Sequence, residues 1–156
     1  MSPRRSLFLF LLLSLLLSAC KPGGTATFAY QPTPVEGWDK TDSLTFSIDT
    51  VRAGGTYRLS VGLRTSASHA YPYRDITLQI VERISGQPQR VVHTNCHLTN
   101  AEGDISGTGI ASYQYVFDIE TVSLPEKSTG TITIRHLMRD PILSGITDVG
   151  VKLERE

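Results

Sequence analysis

The chain has 156 residues, and its 15 Lys and Arg side chains balance 15 Asp and Glu side chains, so its formal net charge is zero. This balance, without a long run of one charge, argues against a nucleic-acid partner. The length suits a single domain that buries most of its apolar surface.

The N-terminus has the pattern of a bacterial lipoprotein signal. Arg4 and Arg5 precede an apolar run over 7–17, and the sequence Leu-Ser-Ala-Cys that ends at Cys20 resembles a lipobox, in which the Cys thiol takes a diacylglycerol. The run of eleven residues is shorter than the roughly 20 that a transmembrane helix needs. We interpret residues 1–19 as a cleaved signal peptide and Cys20 as the lipidation site. An ordinary secretory signal with a chance cysteine is the alternative.

Removal of residues 1–19 would leave 13 basic and 15 acidic side chains, a net charge of about −2. It would also leave Cys96 without a cysteine partner, because Cys20 would be acylated. Pro and Gly dominate the stretch after Cys20, and apolar periodicity is absent there. We therefore expect a flexible tether over 20–36 and a folded domain over 37–156.

From Leu44 onward, apolar and polar residues alternate with a period of two, which is typical of strands with one buried face. The clearest runs are 44–48, 57–64, 76–80, 90–99, 113–119, 131–135 and 149–154. Turn-forming Gly, Pro, Ser and Asp residues separate these runs. The pattern predicts an all-β domain, an antiparallel β-sandwich of about seven to eight strands with jelly-roll or Ig-like topology.

The sequence contains no recognisable catalytic arrangement. No Gly-x-Ser-x-Gly motif is present. His93 and His97 share a face of a predicted strand but lie about 13 Å apart, too far for one tetrahedral metal. Cys96 falls on the opposite face as a core residue, and His136 on an apolar face as a core histidine. We expect no enzymatic activity, no metal and no cofactor.

The loop over 100–109 offers oxygen atoms to a cation, but its spacing does not fit a known motif. Asn100, Glu102 and Asp104 could hold Ca²⁺, although they do not match an EF-hand loop. A solvated acidic turn is the preferred interpretation.

Three aromatic residues are candidate contacts for a partner or ligand. Tyr71 and Tyr73 lie between two predicted strands, and Trp38 precedes the first. Rings at loop tips can stack on sugars or on a partner protein, and they can equally close the open end of a sandwich.

A set of short segments follows a recognisable order through nearly the whole chain. They are Phe28-Ala29-Tyr30, Gly37-Trp38-Asp39-Lys40, Asp42 to Phe46, Tyr57 to Arg64, Tyr71 to Ile76, the glycines Gly103, Gly107 and Gly109, Met138-Arg139, and Gly145 to Gly150. With the lipobox at Cys20, this set resembles the GldH family of gliding-motility lipoproteins of Bacteroidota. Where that family often has Trp in the glycine-rich loop, this chain has Ile105.

The resemblance implies a non-catalytic outer-membrane lipoprotein that is an accessory component of the gliding machinery and its associated secretion apparatus. Its expected partners are the membrane, through Cys20, and envelope proteins of that apparatus. Because residues 21–26 contain no acidic side chain, we expect the domain on the periplasmic face of the outer membrane. The alternative is a lipid-anchored glycan-binding module of a polysaccharide-uptake system, which would need Trp38, Tyr71 and Tyr73 exposed in one row.

Overall fold

The computed structural model describes residues 24–156. Cys20, the predicted signal peptide and the first residues of the predicted tether lie outside this range. No helix capable of crossing a bilayer is found within residues 24–156.

The described residues form ten β-strands. Their bounds are β1 Thr25–Pro32, β2 Trp38–Asp39, β3 Leu44–Ile48, β4 Gly55–Ser66, β5 Asp75–Ile84, β6 Arg90–His97, β7 Ser112–Leu124, β8 Gly130–His136, β9 Ile142–Leu143 and β10 Ile146–Arg155.

The eight longer strands build two antiparallel four-stranded sheets, with the orders β1-β10-β4-β7 and β3-β8-β5-β6. Successive long strands alternate between the sheets, except at the β5–β6 hairpin. This is the strand order of a jelly roll, so the predicted antiparallel sandwich is confirmed. The two-residue strands β2 and β9 form a separate ribbon.

The core lies between the two sheets and follows the alternation of the sequence. Leu59, Val61 and Leu63 of β4 are fully buried, as are Leu78 and Ile80 of β5. Burying a side chain of this size is worth about 1.5–3 kcal/mol, so the two inner faces hold the sheets together.

The predicted tether is wrong for the residues that form β1. This strand pairs with β10 over seven positions, from Thr25 with Glu154 to Pro32 with Asp148. The prediction failed because the stretch is rich in Pro and Gly and lacks a clear alternation of apolar and polar residues. Backbone hydrogen bonding to β10 does not depend on such an alternation. The folded domain therefore begins before residue 37.

The sandwich has two ends, which we name by their distance from Gly24, where the described chain starts. The proximal end carries the loops 49–54, 85–89 and 125–129 and the chain end at 156. The distal end carries the loops 33–37, 67–74, 98–111 and 137–141. Strand β4 has 12 residues, so the ends lie about 40 Å apart.

Candidate functional site

A cleft lined by tyrosines opens at the distal end. It has a volume of about 120 Å³, and its walls include Tyr71 and Tyr73 of the β4–β5 loop and Tyr113 and Tyr115 of β7. Ile105 of the β6–β7 loop completes the rim. The structure thus brings Tyr71 and Tyr73 together with two tyrosines that the sequence indicated only as strand residues.

Tyr71 and Tyr73 are held by their own hydroxyl groups. Their rings meet edge to face with centroids 5.6 Å apart. Tyr71 donates to the carbonyl oxygen of Asp75 at 2.9 Å, and Tyr73 donates to the carboxylate of Asp140. Burial raises the pKa of Tyr71, and the hydrogen bond to Asp140 raises the pKa of Tyr73. Both phenols stay neutral at physiological pH, so in the cleft these residues provide aromatic surface and not a general base.

Two glycines allow neighbouring parts of the chain to approach the tyrosines of the cleft closely. Gly145 has a φ of +86°, and a Cβ there would lie 2.6 Å from the backbone nitrogen of Tyr71. Gly107 lies under the ring of Tyr115, where a Cβ would come within 2.6 Å of Cζ. Larger residues at these positions would displace the loop or the ring.

The distal end also concentrates exposed aliphatic side chains. Ile105 is 50% exposed, Ile110 93% and Ile142 52%, and Val35 is fully exposed. These four are among seven large hydrophobic side chains exposed within residues 24–156. Ile105 lines the cleft, and several exposed apolar side chains at one end of a domain are typical of a surface that binds another protein.

The structure corrects the prediction for Trp38, which is fully buried. Its indole nitrogen donates to the carbonyl oxygen of Asp42 at 3.2 Å, and its ring packs edge to face on His136 with centroids 5.2 Å apart. Trp38 itself belongs to the β2–β9 ribbon, where it pairs with Leu143, a pairing that its place in a predicted loop did not indicate. The row of three exposed rings needed for the glycan-binding alternative is therefore not formed.

Cys96 and His136 are both core residues. Cys96 is buried, and burial raises its pKa to about 11, so it is a core thiol as predicted. His136 is fully buried, with Nε2 3.0 Å from the carbonyl oxygen of Trp38 and no hydrogen-bond partner for Nδ1 within the described chain. Burial lowers the pKa of His136, so it is a neutral core residue.

The acidic loop forms a closed turn. Asp104 N donates to Asn100 Oδ1, and Asn100 N donates to the carbonyl oxygen of Asp104, both at 2.8 Å. No cluster of three or more His, Cys, Asp or Glu side chains with metal-binding geometry occurs in residues 24–156.

The sequence analysis missed a buried acidic pair. Glu82 of β5 is 3% exposed, and its carboxyl group lies close enough to that of Glu120 on β7 for the two charges to interact. Burial and the charge of Glu120 raise the pKa of Glu82 to about 7, while Arg90 bonds Glu120 from the surface. The signal for Glu82 was available, because it continues the inward row of Ile80 on β5. Glu120 gave no such signal, because an irregularity in the β4–β7 register turns it inward.

Comparison with known protein families identifies the family of this chain. The profile of the GldH lipoprotein family matches residues 26–153, which include the whole cleft. The chain belongs to the GldH lipoprotein family. The match confirms the resemblance, and it does not extend to Cys20.

In this GldH-family chain, three of the segments behind the resemblance meet on the outer face of the first sheet. The ring of Tyr30 lies across Gly62 and Gly150, where a Cβ on either glycine would come within 2.6 Å of a ring carbon. Arg64 stacks on the same ring, with Cζ 4.0 Å from the centroid. These two positions therefore require glycine, because the side chain of Tyr30 covers them.

Among the curated proteins, no match was found for this GldH-family chain. Among solved structures, it is similar to part of a 4-O-methyl-alpha-glucuronidase with specificity for decorated arabinogalactans, with a TM-score of 0.43 and 12% identity over 85% of this chain and 18% of that one. It spans 18% of that enzyme's length. It is also similar to the mitogen of Yersinia pseudotuberculosis, with a TM-score of 0.34 and 10% identity over 84% and 87% of the two chains.

Proposed function

We propose that this lipoprotein is a non-catalytic accessory component of the gliding-motility machinery and its associated secretion apparatus, held at the periplasmic face of the outer membrane by acyl chains on Cys20. The observation that carries the proposal is the family match over residues 26–153. The lipobox sequence that ends at Cys20 supports the anchor. The absence of acidic side chains over 21–26 supports the periplasmic face.

The short spacer favours one orientation of the domain. Cys20 precedes Gly24 by four residues, a stretch that spans at most about 14 Å when fully extended. Lipid on Cys20 would hold the proximal end close to the headgroups. The tyrosine cleft and the exposed Ile105, Ile110 and Ile142 would then point away from the membrane, towards other envelope proteins.

Attachment to a membrane would make a weak contact effective. An anchored domain meets anchored partners at high local concentration, which multiplies a modest affinity without new contacts. A cleft of about 120 Å³ with the half-exposed Ile105 in its lining fits such a contact. It offers apolar area and neutral phenol groups in place of charge.

Co-purification tests this function. The lipidated protein, purified from detergent-solubilised membranes, should bring down components of the gliding or secretion machinery identified by mass spectrometry. The double variant Ile105→Ser and Ile110→Ser should recover about tenfold less or worse, because burying one such side chain contributes about 1.5–3 kcal/mol.

Val91→Ser is the matched control. Val91 is 49% exposed, close to the 50% of Ile105, but lies on β6 near the proximal end. It should leave recovery unchanged. Recovery of no machinery component with the unaltered protein would contradict the function, and equal recovery with the double variant would contradict the distal end as the contact surface.

A further inference from the structure

A second, larger cleft lies at the proximal end, beside the point where the described chain starts. It has a volume of about 510 Å³ and is lined by the start of β1, the β3–β4 loop and the end of β10. Gly24 forms part of its wall, and Arg52 and Arg155 line it from the two other segments. The cleft is therefore built around the end of the chain that leads to Cys20.

The charges in this cleft are not balanced. Neither Arg52 nor Arg155 forms an ion pair with another of the described residues. Arg155 donates to the carbonyl oxygen of Gly54 at 3.2 Å, which orients its guanidinium. Asp49 is the carboxylate in the lining. Two guanidinium groups and one carboxylate give the cleft a charge of about +1, which complements a phosphodiester.

The length of chain before Gly24 determines what this cleft can meet. Four residues from Cys20 reach at most about 14 Å, and the headgroup layer of a leaflet is about 5–8 Å thick. A lipid chain on Cys20 would therefore bring Arg52 and Arg155 to the level of the headgroups. Electrostatic attraction acts over about 8 Å at physiological ionic strength, so phosphate groups would lie within range.

We propose that the proximal cleft binds the phosphate of an anionic lipid headgroup in the leaflet that holds the anchor. This contact fixes the sandwich upright and keeps the tyrosine cleft about 40 Å from the bilayer. The inference rests on the proposed attachment at Cys20. It adds a second contact with the membrane, made by the folded domain, and the two contacts together define the orientation of the domain.

Energy transfer to a labelled bilayer tests the orientation. The lipidated protein carries a fluorescent probe at Ala101→Cys, in an exposed distal loop, and is reconstituted in phosphatidylcholine vesicles with or without phosphatidylglycerol. With phosphatidylglycerol the probe should show low transfer to a headgroup acceptor. With phosphatidylcholine alone, transfer should rise as the domain tilts. A probe at Glu126→Cys, in an exposed proximal loop, should show high transfer with phosphatidylglycerol.

Two arginine variants make the test specific. Arg52→Gln and Arg155→Gln should each give, with phosphatidylglycerol, the high distal transfer seen with phosphatidylcholine alone. Arg52 accepts this change with little structural risk, because its exposed side chain has no hydrogen-bond partner within residues 24–156. Arg139→Gln, an exposed distal site, is the control and should behave as the unaltered protein.

Each outcome bears on a different claim. Equal distal transfer in the two lipid mixtures, or no effect of either arginine variant, would overturn the inference. Binding of inorganic phosphate to the cleft, with equal distal transfer in the two lipid mixtures, would show that a free anion, not a lipid, occupies the cleft. Failure of the proposed attachment appears separately, as protein that does not remain with the vesicles.

Discussion

The carboxyl groups of Glu82 on β5 and Glu120 on β7 meet between the two sheets of the sandwich. Two of their oxygen atoms, Glu82 Oε1 and Glu120 Oε1, are buried and have no hydrogen-bond partner within the described chain. Two ionised carboxylates in such a place would repel each other. A proton on Glu82 removes that repulsion, and Arg90 forms an ion pair with Glu120 from the surface.

This pair makes the stability of the domain depend on pH. Burial and the charge of Glu120 raise the pKa of Glu82 from 4.5 to about 7. The unfolded chain releases this proton near pH 4.5, whereas the folded chain keeps it until about pH 7. The free energy of unfolding therefore falls as pH rises between these values, by about 3 kcal/mol from this group.

Glu82→Gln should remove that loss. At pH 8 the variant should be more stable to urea than the unaltered protein by up to about 3 kcal/mol, and the difference should shrink towards pH 5. Glu102→Gln, an exposed site in the same chain, should change neither value. His136 contributes with the opposite sign, because its pKa is lowered, but it is common to all three proteins. Equal or lower stability of Glu82→Gln at pH 8 would contradict the account.

Gly145→Ala should destabilise the domain and disturb the tyrosine cleft. Gly145 has a φ of +86°, and a Cβ would lie 2.6 Å from the backbone nitrogen of Tyr71. Gly86 provides the comparison, since its φ is +78° and nothing lies within 4 Å of a Cβ there. Both substitutions carry the backbone cost of about 1–2 kcal/mol, and Gly145→Ala should cost about 1–3 kcal/mol more. Equal unfolding free energies for the two variants would show that the contact with Tyr71 is not tight.

Gly62→Ala tests whether the ring of Tyr30 holds its position on the outer face. A Cβ on Gly62 would come within 2.1 Å of the Tyr30 hydroxyl, so the ring must leave both glycines and its stack with Arg64. The expected cost is about 1–2 kcal/mol, in part from the lost cation–π contact. In a Tyr30→Ala background the same substitution should cost little, and a double-mutant cycle measures the difference. The same cost in both backgrounds would exclude the contact as its cause.

The sequence was sufficient for the long strands and for the buried Cys96, because alternation records which face of a strand is apolar. It was insufficient where strand register or backbone pairing determines the position of a residue. The pairing of β1 with β10 leaves no pattern in a Pro-rich stretch, the irregularity beside Glu120 shifts one residue inward, and the two-residue strand at Trp38 is too short to show a period. Tyr71 and Tyr73 were candidates from the sequence alone, whereas their grouping with Tyr113 and Tyr115 depends on how distant segments of the chain meet.

The lipid on Cys20 is the claim on which the orientation and the local concentration of the domain both depend. Intact-mass measurement of the protein purified from the membrane fraction tests it most directly. The account predicts a chain that starts at Cys20 and carries the additional mass of a diacylglycerol. A membrane-derived chain with an unmodified Cys20, or one that retains residues 1–19, would contradict it.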